Sequence, residues 1–180
     1  MNVSENSTVL DFRDSRFTYI REYYDGKYGM DHQLIKLIEE VGECLAAYAR
    51  IAAAACRGES AYIPDIIEFQ SEIADVLVLL GQYVEKRKAI DSGVLTYSDE
   101  FPSAPIILSD ILDCTLYEIE GLNEEDETLA EMAAPYAITL LSVTKHLGAL
   151  PGLSKHIDYK LDRQIERIKE ESNLDKGQLN

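Results

Sequence analysis

Between residues 8 and 173, apolar residues recur almost throughout at spacings of three and four, the period of a helix buried along one face. A first helix is expected over residues 9–24, closed by Asp25-Gly26. Asp31 can cap a second, from residue 32 to about 56, with Leu34, Ile38, Val41, Leu45, Tyr48 and Ala52 as its stripe. The second half of that helix, CLAAYARIAAAAC, is alanine-rich, which favours helix and permits close approach of a neighbour. Arg57-Gly58 should end it. Pro64 suits the first turn of a third helix reaching about residue 90, with Ile66, Ile73, Val76, Leu77, Leu80 and Val84 facing the core.

Residues 91–105 turn polar and carry two prolines, so the longest loop is expected there. A fourth helix should cover residues 105–120 and stop at Gly121. Asn123 starts a fifth, which Pro135 should kink or split. After Gly148 and Pro151 a charged sixth helix should reach about residue 172. No stretch alternates convincingly enough for a strand. The expected fold is all-α: a helical bundle built on an antiparallel hairpin of the second and third helices. Residues 109–121 and 136–147 loosely echo that hairpin, so a degenerate second hairpin is a candidate. One domain is expected over residues 1–173, with residues 174–180 as a flexible tail.

The composition narrows the function. The chain has 180 residues and a formal charge of −16, with a pI of about 4.5. Phosphate backbones want a basic face, so nucleic acid is not an expected partner. No apolar run is long enough to cross a bilayer, and the opening MNVSENSTVLDF has no basic region followed by an apolar stretch. The three cysteines form no CxxC pair and no zinc-like spacing, which fits a reducing compartment. A cytoplasmic protein is expected.

Against this background the acids stand out. Glu39-Glu40-Val41-Gly42-Glu43 is followed by Glu72-Ile73-Ala74-Asp75. At about 100° per residue, Glu40 and Glu43 share one side of their helix, beside its apolar stripe. Glu72 and Asp75 hold nearly the same offset on the next helix. In an antiparallel hairpin the four carboxylates converge at the edge of the core, where like charges repel unless cations intervene. All-oxygen ligands select hard divalent ions, Mg²⁺ first and Mn²⁺ next. The plain alternative is a solvated acidic face, the usual fate of such runs. A ferritin-like di-iron site needs Glu-x-x-His, and His32, His146 and His156 have no glutamate three residues before them. No glycine loop of the GxxxxGK[ST] or GxGxxG kind is present.

EExxE, then ExxD, with residues 44–71 between them, resembles the signature of all-α nucleoside triphosphate pyrophosphohydrolases, the MazG-like superfamily that includes dimeric dUTPases and dCTPases. The phrase from Gln33 to Glu43, QLIKLIEEVGE, carries the likeness furthest, and the similar region is about residues 29–90. The resemblance implies that Glu40, Glu43, Glu72 and Asp75 are Mg²⁺ ligands. It implies cleavage of a nucleoside triphosphate between the α and β phosphates, giving a monophosphate and pyrophosphate, and a homodimer or higher homo-oligomer. Glu39 is then a base that orients water, a support for a ligand, or solvent-facing. Glu43 is expected to serve catalysis as well as the metal.

Lys36 and Lys86 are the expected phosphate contacts, Lys36 with the alternative of an ordinary helix pair with Glu39 or Glu40. Many relatives carry a Lys-x-x-Asn-x-x-Arg-like segment after the second motif, and this chain does not show it there. Lys160 and Arg163 could substitute from the last helix, where a solvated charged face is the plainer expectation. Tyr23, Tyr24 and Tyr28 are the aromatic candidates beside a base. Only one metal site is expected, since PYAITLLSV in the fifth helix is uncharged. Two alternatives stand beside the leading function: a non-catalytic acidic helical interaction protein, even a DNA mimic, and a dUTPase- or dCTPase-type specialist.

Overall fold

A computed structural model describes residues 10–29, 31–60, 62–84, 103–122, 128–149 and 151–177. Six helices account for most of them: α1 Ser15–Tyr28, α2 Asp31–Cys56, α3 Ile63–Tyr83, α4 Ala104–Glu120, α5 Leu129–His146 and α6 Leu153–Gly177. Among the described residues there is no strand. The fold is all-α.

Local chemistry sets the helix ends, sometimes away from where the pattern alone put them. α1 starts at Ser15 rather than residue 9, because Asp14 caps it by accepting from the Arg16 amide. It runs through Asp25-Gly26 and stops at Gly29, which takes φ +86°. Pro64 sits in the first turn of α3 as expected. That helix ends at Tyr83 and not near residue 90, because Val84 is extended. α4 stops at Gly121 in the left-handed region. α5 begins at Leu129 rather than at Asn123, with Thr128 extended and accepting from the Glu131 amide. Pro135 does not split it. The proline is on the exposed side of the helix, where the carbonyl it leaves unpaired can face water. α6 continues to Gly177, five residues past the expected end at 172. The polar stretch expected as the longest loop, residues 91–105, lies outside the described residues up to 102.

α2, α3, α5 and α4 form a closed ring of neighbours, each touching the next. α1 and α6 lie across it, both against α3 and against each other, with α1 also reaching α2. Arg50 meets Asp65 and Glu68, and Tyr48 meets Phe69, so α2 and α3 run in opposite directions where they touch. Arg16 pairs with Asp158 and Asp162, and Lys27 with Glu171, so α1 and α6 run parallel.

α3 is the central element. From Ile73 to Val84 every residue is buried except Asp75, which keeps partial exposure. Gly81 is where α1 comes closest: a Cβ there would lie 2.5 Å from the Phe17 ring. The ring is itself buried and has nowhere to retreat. Gly81→Ala should therefore destabilise the protein by about 1–3 kcal/mol, despite the better helix propensity of alanine. Adding Phe17→Leu should recover part of the loss. Urea denaturation of both variants checks this, and an unchanged midpoint for Gly81→Ala would refute the close packing.

Candidate metal centre

The buried stripe of α2 is turned relative to the expected one. Leu34, Leu37, Val41, Cys44 and Ala47 are buried, while Ile38, Leu45 and Tyr48 are only partly so. That turn brings Glu40 inward, to 7 % exposure. Glu43, one turn on, remains exposed, and Glu72 of α3 is partly buried opposite. One carboxylate oxygen from each of Glu40, Glu43 and Glu72 lies within 4.8 Å of the others. Among the described residues this is the only group of acids, histidines or cysteines gathered closely enough to hold a metal ion.

Asp75, the fourth expected ligand, is beside the group but engaged: Lys160 of α6 donates a hydrogen bond to its Oδ2. Both side chains are largely buried, at 17 % exposure for Lys160 and 15 % for Asp75. This corrects the expectation of a fully solvated α6. Spacing along α6 gives no sign of it, because the partner is 85 residues away. Lys36 pairs with Glu39 and Glu40 at 2.8 Å each, the ordinary helix pair. Glu39 is half exposed and turned to Lys36, outside the group of three. Lys86 lies outside the described residues.

The electrostatics follow from this placement. Burial, then the charges of Asp75 and Glu43, push the Glu72 carboxyl up to about 7. Burial also raises Asp75, against the opposing hydrogen bond and charge of Lys160. Burial alone would lower Lys36, yet Glu39 and Glu40 outweigh it and raise it. Cys44 lies fully buried under the group, and burial together with the Glu72 charge holds it as a neutral thiol, a poor nucleophile. Lys36 is shared between Glu39 and Glu40, and Lys160 is held by Asp75, so the acids outnumber the two cations beside them.

The aromatic candidates are tied elsewhere. Tyr24 stacks on Tyr28 and His32, with ring centroids 6.0 and 5.6 Å away. Tyr23 and Tyr28 donate their hydroxyl protons to Glu171 Oε2 at 3.0 and 3.1 Å, where Lys27 also donates. They fasten α1 to α6. Gln70, buried, donates to the carbonyls of Ala149 and Pro151 at 2.5 and 2.8 Å, fixing the entry to α6 one residue before Ser71. Compared with protein-family models, curated proteins and solved structures, the chain gives no match.

Two outcomes are expected of the metal-free protein. Lys160→Met leaves Asp75 largely buried without its cation and should cost about 3 kcal/mol in urea denaturation, with much of that recovered in Lys160→Met/Asp75→Asn. An unchanged midpoint for the single variant would deny the pair its role. The second concerns pH. Glu72 has a folded value near 7 against an ordinary 4.5, so the stability its protonated form gives is fully present below 4.5 and is lost as pH rises through 7. Glu72→Gln should flatten the stability profile over that window in the presence of a chelator. Parallel profiles for parent and variant would show that Glu72 titrates normally.

Proposed function

We propose that this protein is a Mg²⁺-dependent nucleotide pyrophosphohydrolase of the MazG-like kind, converting a nucleoside triphosphate to a monophosphate and pyrophosphate. The observation that carries this reading is the convergence of Glu40, Glu43 and Glu72, with Asp75 beside them, from two motifs that spacing had already paired. Such a set of oxygen donors fits a hard divalent ion, with Mn²⁺ as the next choice. Glu40 and Glu72 would supply its inner ligands, Glu43 its solvent side, and Asp75 a further ligand once released by Lys160. The bound ion supplies charge neutralisation and activation of the phosphate chain towards water.

The protein's own groups complete the chemistry. With Cys44 neutral and buried, water is the nucleophile this site offers. Glu43 is exposed at the mouth of the group and can accept a proton from that water. Glu39 can do so only by leaving Lys36, so its part is to keep Lys36 placed beside Glu40. No helix among the described residues is long and apolar enough to cross a membrane. A cytoplasmic setting and a homo-oligomer belong to this reading. The lack of a CxxC pair among the three cysteines supports the former; exposed Ile63 and Ile67 on α3 support the latter.

The test is a panel of nucleoside triphosphates with Mg²⁺, following pyrophosphate against orthophosphate. Pyrophosphate release is expected, and Glu43→Gln or Asp75→Asn should lower turnover by about 100-fold. Mg²⁺ should raise the melting temperature of the parent more than that of either variant. Equal Mg²⁺ shifts in all three proteins would sink the metal site, and orthophosphate as the sole product would sink the reaction.

A further inference from the structure

The cations of α6 are unevenly compensated. Lys155, His156, Tyr159, Lys160 and Arg163, together with Ser71 of α3, line an open groove of about 450 Å³. At about 100° per residue these five positions fall on one face of the helix. Asp158 and Asp162, on the adjoining side of the helix, are drawn to α1, whereas Glu166, one turn after Arg163, stays exposed on the cationic side. Each aspartate is bound at 2.7 Å by Arg16 of α1, which also holds Asp14. Among the described residues, Lys155 and Arg163 make no ion pair, whereas Arg13, Arg21, Lys27, Lys36, Arg50 and Arg57 each sit on a carboxylate. Arg167 and Lys169, farther along α6, make none either, so it is the groove lining and not the lack of a partner that singles out Lys155 and Arg163.

That face adjoins the acid group. Lys160 both lines the groove and holds Asp75, and Ser71 immediately precedes Glu72. α6 thus forms the cationic wall of the groove, Ser71 of α3 lines it, and the acid group begins at the next residue, Glu72. We infer that the groove binds phosphate, with Lys155, His156 and Arg163 holding the end of a phosphate chain whose other end lies at the acid group; the chain's direction rests on the pyrophosphohydrolase reading. An arginine fork, an ammonium and the hydroxyls of Ser71 and Tyr159 give the several donors that a tetrahedral oxyanion takes, more than a single carboxylate needs. The cationic wall also answers a problem of the acid group, which would repel a polyphosphate approaching without compensation.

Isothermal titration of the full chain tests this, with inorganic pyrophosphate in one arm and a non-hydrolysable nucleoside triphosphate analogue in the other. Each arm is run in EDTA and again with Mg²⁺. In EDTA, Lys155→Ala/Arg163→Ala should bind about tenfold more weakly than the parent, and parental affinity should fall with salt. Both side chains are exposed, so the fold is not at stake. Glu43→Gln should lose most of the gain that Mg²⁺ brings, and its metal-free affinity should rise because one repelling charge is gone. Weakening in both arms supports a site for free and nucleotide-borne phosphate alike; weakening for the analogue alone assigns it to the nucleotide. Equal affinities of parent and double variant in both arms overturn the site. If Mg²⁺ brings no gain to the parent while the double variant is still weakened, the metal reading fails and the anion site stands.

Discussion

A helix buried on every side cannot also carry charge cheaply, and α3 does both. Over Ile73–Val84 every residue but Asp75 is buried, and Glu72 is at the threshold of that stretch. Two unit charges 4 Å apart interact by about 4 kcal/mol at the effective dielectric of a protein's outer layers. That exceeds the 1.5–3 kcal/mol or so from burying one leucine or valine side chain. Acids at these positions therefore decide which groups may stand opposite them. Lys160 meets Asp75 and Lys36 meets Glu40, while Glu43 and Glu72 form no ion pair among the described residues.

The outer helices are placed by the same requirement. Gln70 fastens the entry of α6 to α3, which brings Lys160 level with Asp75 about two turns into the helix. Arg16, Lys27, Tyr23 and Tyr28 then clamp α1 alongside α6 through Asp158, Asp162 and Glu171. Phe17, seated over Gly81, sets how near α1 can come to α3. Apolar packing closes the ring of four helices, while ion pairs and hydrogen bonds fix the two helices laid across it.

Much of this was legible from periodicity. The helices, their order, the proline at the start of α3 and the glycine after α4 follow from spacing and backbone chemistry, which are local. So does the pairing of Glu40 and Glu43 with Glu72, because matched angular offsets on neighbouring helices survive a modest rotation. That rotation itself was not legible. Leu37 and Cys44 serve as core where Ile38 and Leu45 fit the period equally well, and only the partners on α3 and α4 choose between them. The start of α1 was misplaced because Asp14 competes successfully with the apolar pattern before it. Lys160 looks solvated in the sequence for a different reason. Its own helix is rich in charge, and no local feature tells one lysine among several that a carboxylate 85 residues earlier awaits it.

The division of charge on α6 explains why six helices are needed where four would close a core. A bare ring would leave Asp75 facing water with no cation, and Glu72 with nothing to offset its neighbours. α6 supplies that cation, but a helix rich in both signs would ordinarily pair its charges internally at three- and four-residue spacings. α1 prevents this by taking Asp158 and Asp162 onto Arg16. What remains along the groove is Lys155, His156, Lys160 and Arg163, with Glu72 next in sequence to the Ser71 that lines it. The acid group and the cationic side of α6 stand next to each other, and the helix that makes this arrangement is the one farthest in sequence from the acids.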